Sequence, residues 1–223
     1  MKEYSDKEIG ERFQGYLREG HFLAVQPELI PLSLALYRRL GERAAVQRET
    51  LGHDLGIPTA GVDLLLGKLP PSTVEIDQDG NVFAFGGLSI AEGNHEFHVD
   101  CQKLYTWCVF DGLFLPQLLG RPATLITHCP TTDIKIEIDL DPARIIRVNP
   151  AQPVMSLVAP DGDACCEDLR GAFCNHVNFF ADENAFASWA SERTDVTWIS
   201  TERAHSLAMQ RNQLRYGQHL DAA

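Results

Sequence analysis

From Asp133 to Asp141 the chain reads Asp-Ile-Lys-Ile-Glu-Ile-Asp-Leu-Asp, with an apolar residue at every second position. Successive side chains of a strand point to opposite faces, so this pattern describes one buried face and one charged, wet face. That is the signature of an antiparallel strand in a sheet covered on one side. Arg144–Val148, Met155–Val158 and the apolar run Phe173–Phe180 are further strand candidates, with a turn over Pro150–Pro153. Val74–Asp77 and Val82–Phe85 flank Gln78-Asp79-Gly80-Asn81, and an Asp-Gly pair between two such runs predicts a hairpin.

The first third is helical in pattern. Ser5 and Glu8 form a capping-box pair ahead of Ile9, Phe13 and Leu17, with Gly20 as the stop. Leu32–Arg43 and Gln47–Leu55 predict two more helices, and a third, capped by Thr59, runs through Val62, Leu65 and Leu66. Three helices followed by a hairpin suggest a winged helix-turn-helix. Its recognition helix would offer one cation, Lys68, and one acid, Asp63, where groove-reading helices present several Arg, Lys, Asn or Gln side chains. The unit is therefore read as scaffold. Glu183–Arg193 and Thr201–Leu214 predict closing helices, and Leu104–Leu119 predicts an apolar helix that Pro116 bends or ends.

The expected class is α+β. An N-terminal helix (1–28) and a winged-helix-like region (29–92) pack on a β-rich, mainly antiparallel domain with flanking helices (93–223), the boundary falling near Gly86–Asn94. A formal charge of −12 argues against nucleic acid or anionic lipid as partners, since both require clustered cations. No apolar run is long enough to span a bilayer, and the charged start Met1–Glu8 is unlike a secretory signal. A cytoplasmic setting with six free cysteines is expected.

Two of those cysteines stand out. Cys108 lies in Tyr105-Thr106-Trp107-Cys108-Val109-Phe110-Asp111, and Cys174 in Ala172-Phe173-Cys174-Asn175-His176-Val177. A thiol in apolar surroundings is either core filler or a soft-metal ligand shielded from water. Asp111 favours the second reading, because a carboxylate among Val109, Phe110, Leu113 and Phe114 is costly unless it is paired. On a helix Cys108 and Asp111 would share a face; on a strand Cys174 and His176 would point to the same side. Cys129 has no such partner and reads as structural. Cys165-Cys166 sits in an acidic loop and reads as an accessory metal trap or as two exposed thiols. There is no Cys-x2-Cys or His-x3-His pair, so a structural zinc site is not expected.

These segments resemble the alkylmercury lyase family. The resemblance is carried by Leu104–Asp111, Pro116–Arg121, Thr127-His128-Cys129, Phe173–Phe180 and Trp189-Ala190, in that order, within a span of roughly Leu29 to Leu207. It implies that residues 93–223 form a catalytic domain, with Cys108, Asp111 and Cys174 as catalytic residues and Cys108 and Cys174 as the mercury ligands. It implies cleavage of a carbon–mercury bond to a hydrocarbon and a Hg(II) dithiolate. No cofactor is required; free thiols or a mercuric reductase collect the metal, and the substrate is a small organomercurial. Asn175 stands where some relatives carry another cysteine, and Cys165-Cys166 is an unfamiliar pair. Two alternatives stay open at this point: non-catalytic thiol-based binding or sensing of soft metals, and a Cys–His hydrolase using His128 or His176.

Overall fold

The computed structural model describes residues 5–18, 26–158, 167–193 and 195–222. Gly20, Cys165 and Cys166 lie outside the described residues. Helix α1 (Asp6–Arg18) begins with the expected capping box: Ser5 N–H donates to Glu8 Oε2 at 2.8 Å, and Glu8 N–H donates to Ser5 Oγ at 3.3 Å. Helices α2 (Ile30–Leu40), α3 (Arg48–Leu55) and α4 (Thr59–Leu66) follow, and Gly56 ends α3 in the left-handed conformation. Pro58, not Thr59, occupies the N-cap of α4; its fixed φ already suits that entry, and Thr59 becomes the first helical residue.

Strands β1 (Val74–Ile76) and β2 (Val82–Phe85) form the expected hairpin, with Val74 opposite Phe85. They open an eight-stranded antiparallel sheet. It continues through β3 (Leu88–Ser89), β5 (Gln102–Thr106), β4 (His95–Val99), β6 (Ala123–His128), β7 (Lys135–Leu140) and β8 (Ile145–Asn149). The alternating segment is β7, where Ile136, Ile138 and Leu140 are buried as its period of two requires. A second antiparallel sheet has the order β10 (Phe179–Phe180), β9 (Val154–Val158), β11 (Val196–Ser200). Among the described residues, no helix is long and apolar enough to cross a membrane.

Two expectations are corrected. Leu104–Leu119 is not one helix: Leu104, Tyr105 and Thr106 belong to β5, paired to both β3 and β4, and helix α5 spans Val109–Leu119. Ladder pairing inside the sheet overrides a run whose apolar content suits either state. Pro116 lies within α5 and does not end it; Gly120 does, at φ 63°. Phe173–Phe180 is likewise not a continuous strand. Asp168 caps the short helix α6 (Leu169–Ala172), Cys174–His176 make a 3₁₀ turn, and only Phe179–Phe180 are strand. Ser156 on β9 supplies the competing bonds: its hydroxyl donates to the His176 carbonyl at 2.7 Å and accepts the Asn178 N–H at 2.9 Å. A side chain satisfying loop backbone in this way replaces ladder bonds.

Helix α5 is apolar on all sides and correspondingly buried. It packs on α2, on β6 and on the long helix α8 (Thr201–Tyr216), which follows α7 (Glu183–Ala190) and β11. The approach to β6 is close enough that a Cβ on Gly112 would meet Leu125 at 2.8 Å. Burial of α5 is what carries its first turn, and Asp111 with it, into the interior.

Candidate active site

Cys108 is the N-cap of α5, with extended backbone (φ −144°, ψ 172°), and Asp111 is the third residue of the helix. The pair therefore meets as a capping box, with a thiol where Ser or Thr is usual. Cys108 N–H donates to Asp111 Oδ2 at 2.8 Å, and the Asp111 N–H faces the Cys108 sulfur. The two residues expected to share a helix face do meet, but through capping at the helix start and not through helical spacing. Cys-x-x-Asp before an apolar run was the available signal.

Cys174 reaches the same point from the 3₁₀ turn. Phe173 closes α6 through its N–H to the Leu169 carbonyl, and the Cys174 carbonyl accepts from Val177. The Cys108 sulfur, a carboxylate oxygen of Asp111 and the Cys174 sulfur all lie within 4.8 Å of one another. All three residues are buried, at 0%, 8% and 3% exposure. Among the described residues this is the one cluster of three or more Cys, His, Asp or Glu ligand atoms.

The electrostatics follow from burial. Cys108 is pushed well above the ordinary thiol value by burial, by its hydrogen bond with the Cys174 thiol and by the neighbouring Asp111 charge. Asp111 is raised to about 6, again mainly by burial; the Cys108 N–H and thiol, then Arg211 and Arg170, hold it from rising further. At neutral pH the site thus sets a protonated thiol beside an ionised carboxylate. The carboxylate can accept that proton once a soft cation stabilises the thiolate.

Access is through a cavity of about 170 Å³ that Asp111 and Cys174 line and Cys108 does not. Its apolar wall includes Phe13, Leu29, Phe85, Phe110, Phe114 and Phe173. Phe13 of α1 packs edge-on to Phe110 (centroids 5.4 Å apart) and stacks on Phe173 (6.2 Å), so it bridges the two cysteine-bearing segments. Gly87 closes the site behind the carboxylate. At φ 102°, a Cβ there would lie 2.5 Å from Asp111 Oδ1. Its carbonyl accepts the Trp107 N–H at 3.0 Å, tying the β3 entry to the residue before Cys108. Neither Gly87 nor Phe13 was singled out from sequence as a site residue. The Gly86-Gly87 pair was the only local hint, because the contacts themselves are tertiary.

Other candidates fall away from the site. Cys129 is buried in the turn after β6, bonded through its backbone to Ile134 and Asp133. His176 turns to Arg193, with Nδ1 at 3.2 Å from its guanidinium, and His128 is exposed. The strand geometry that would have aligned Cys174 with His176 is absent, and with it the nucleophile–base contact a Cys–His hydrolase needs.

Comparison with known proteins gives the family. The family model described as alkylmercury lyase matches residues 88–212. The chain is 35% identical over 180 residues to an alkylmercury lyase of Pseudomonas putida, covering 81% of this chain and 82% of the relative. It is 33% identical over 187 residues to one from Staphylococcus epidermidis, covering 84% and 80%. Among solved structures, the mercury-bound form of MerB2 superposes with a TM-score of 0.73 at 20% identity, over 94% of this chain and 99% of that one, a likeness of fold. By sequence identity and by family model alike, this chain belongs to the alkylmercury lyase family.

Proposed function

We propose that this chain cleaves the carbon–mercury bond of organomercurials by protonolysis, with Cys108, Cys174 and Asp111 as its catalytic residues. The observation that carries the reading is two buried thiols and one carboxylate within 4.8 Å of one another. Mercury is soft and prefers sulfur to oxygen or nitrogen, and a thiol pair with a carboxylate matches both its coordination and the proton inventory of the reaction.

In this reading Cys174, which faces the cavity, first takes R–Hg⁺ from its carrier thiolate and releases its own proton to that leaving group. The Cys108 thiol passes its proton to Asp111 as its sulfur joins mercury. A second thiolate pushes electron density onto the metal and weakens the Hg–C bond. Asp111 then returns the proton to carbon as that bond breaks, so no free carbanion forms. R–H leaves, and Hg(II) stays as a neutral dithiolate of Cys108 and Cys174. The protons balance and no redox step occurs, so no organic cofactor is required; cellular thiols, or a mercuric reductase, then collect the metal in the cytoplasm.

Residues 29–92 act in this account as a winged-helix-like scaffold that walls the cavity together with the 93–223 catalytic domain, and helix α1 of the N-terminal segment lays Phe13 over it. The test is phenylmercury supplied with excess thiol to folded, reduced protein. Benzene in the headspace, with Hg(II) retained by the protein, is expected; mercury uptake without benzene would reduce the chain to a soft-metal binder.

A further inference from the structure

The cavity that Asp111 and Cys174 line also holds two guanidiniums, Arg211 and Arg215 of α8. In the proposed protonolysis neither touches mercury or moves a proton; Arg211 acts only through its charge on Asp111. Arg211 is 4% exposed; its guanidinium carbon lies 3.6 Å from the centre of the Phe114 ring and its Nη1 donates to Asn212 Oδ1 at 2.8 Å. Among the described residues, no carboxylate lies within ion-pairing distance of either arginine. Arg215 Nε is buried without a hydrogen-bond partner, and so is Oγ of Ser33, a residue 1% exposed on the same cavity wall. The two cations act on one another: burial first, then Arg211, push Arg215 below its ordinary value. Asp111 on the same wall gives Arg211 one negative neighbour, and Tyr37 and Tyr216 each meet one guanidinium; two cations beside one carboxylate still leave a net positive charge next to Arg215 Nε and Ser33 Oγ, which an anion from outside would satisfy.

We infer that Arg211, Arg215 and Ser33 form a carboxylate subsite, making arylmercurials that carry a ring carboxylate the favoured substrate class. The aromatic walls Phe110, Phe114 and Phe173 receive the ring, and the planar guanidiniums match the carboxylate. This rests on the proposed lyase reading for its substrate, but the subsite itself binds without turnover.

The test has two arms. Calorimetric titration with benzoate and with neutral benzamide reads the subsite alone. Benzoate should bind, benzamide should bind at least about tenfold more weakly, and Arg215→Gln should remove the difference, on the scale of one charge-assisted hydrogen-bonded pair. The charge-retaining Arg215→Lys should keep a preference for benzoate, which separates loss of charge from loss of fold. Equal affinity for the two ligands, or a preference that Arg215→Gln leaves intact, would overturn the subsite whatever the lyase assay shows. In the second arm, carboxyphenylmercury should have a lower KM than phenylmercury in a neutral thiol buffer. A preference appearing only with a carboxylated carrier thiol would place the anion on the wrong side of mercury and contradict the assignment.

Discussion

The Asp111 carboxylate accepts the backbone N–H of Cys108 at 2.8 Å, so the base of the site is held by the residue whose thiol it would deprotonate. This link follows from helix capping, a local rule, and it fixes the carboxylate independently of substrate. Asp111→Asn retains an acceptor for that N–H but not a proton carrier. The variant is expected to bind mercury with unchanged stoichiometry while hydrocarbon release falls by about a hundredfold or more, the range for loss of a general acid–base. Undiminished turnover would remove Asp111 from the chemistry.

The same substitution predicts a stability effect of defined sign. Asp111 holds its proton up to about 6 in the fold against 3.8 when unperturbed, so between those values the folded state binds more protons than the unfolded one. Stability from this group is therefore lost as pH rises through that window. At 1.36 kcal/mol per pH unit the loss is on the order of 3 kcal/mol. Asp111→Asn should melt above wild type at pH 8, and the gap should close below pH 4. A variant less stable than wild type by the same margin at both pH values would contradict the burial account.

The two cysteines should separate by access. Cys174 lines the cavity and Cys108 does not. Cys108→Ser should still take one R–Hg group onto Cys174, visible by intact-mass spectrometry, yet release no hydrocarbon. Cys174→Ser should acquire the group much more slowly. Equal adduct rates in the two variants would mean that the cavity is not the route in.

Gly87→Ala tests the back of the site. Its φ of 102° disfavours any L side chain, and the new Cβ would overlap the Asp111 carboxyl. The expected result is a loss of about 1–3 kcal/mol from backbone strain alone, together with a fall in kcat from the displaced carboxylate. Normal kcat in the folded variant would show that the carboxylate position is not critical.

Phe13→Ala should cost about 3–5 kcal/mol, as for a buried aromatic left as a cavity. It should raise KM for phenylmercury as well, because Phe13 joins Phe110 to Phe173 over the pocket. Thermal melts and KM together check this; a variant with lower stability but unchanged KM would confine Phe13 to packing.

Legibility from sequence divides along the same line between local and tertiary causes. The capping box at Ser5, the Asp79-Gly80 hairpin and the period of two in β7 depend on near neighbours, and all are found where those signals lie. Leu104–Thr106 reads as helix from sequence because an apolar run suits a strand or a helix equally until its pairing partners are known. Cys174 lies on a 3₁₀ turn and not on the strand that its apolar neighbours suggest, because Ser156, distant in sequence, takes the backbone bonds of that loop. The three residues of the proposed site are legible as thiols and a carboxylate in apolar segments, together with the family resemblance. Their convergence is not, since it depends on α5 being buried between α8 and the sheet. Arg211 and Arg215 carry no signal except position in the folded chain, and Gly87 only its place in the Gly86-Gly87 pair.

The most direct measurement is a single turnover of phenylmercury in D₂O with one equivalent of reduced protein, followed by gas chromatography–mass spectrometry and mercury analysis. The account predicts monodeuterated benzene, one Hg(II) held per chain by Cys108 and Cys174, and no release from chains lacking either thiol. Mercury bound without benzene, or full benzene release from Cys108→Ser or Cys174→Ser, would contradict it.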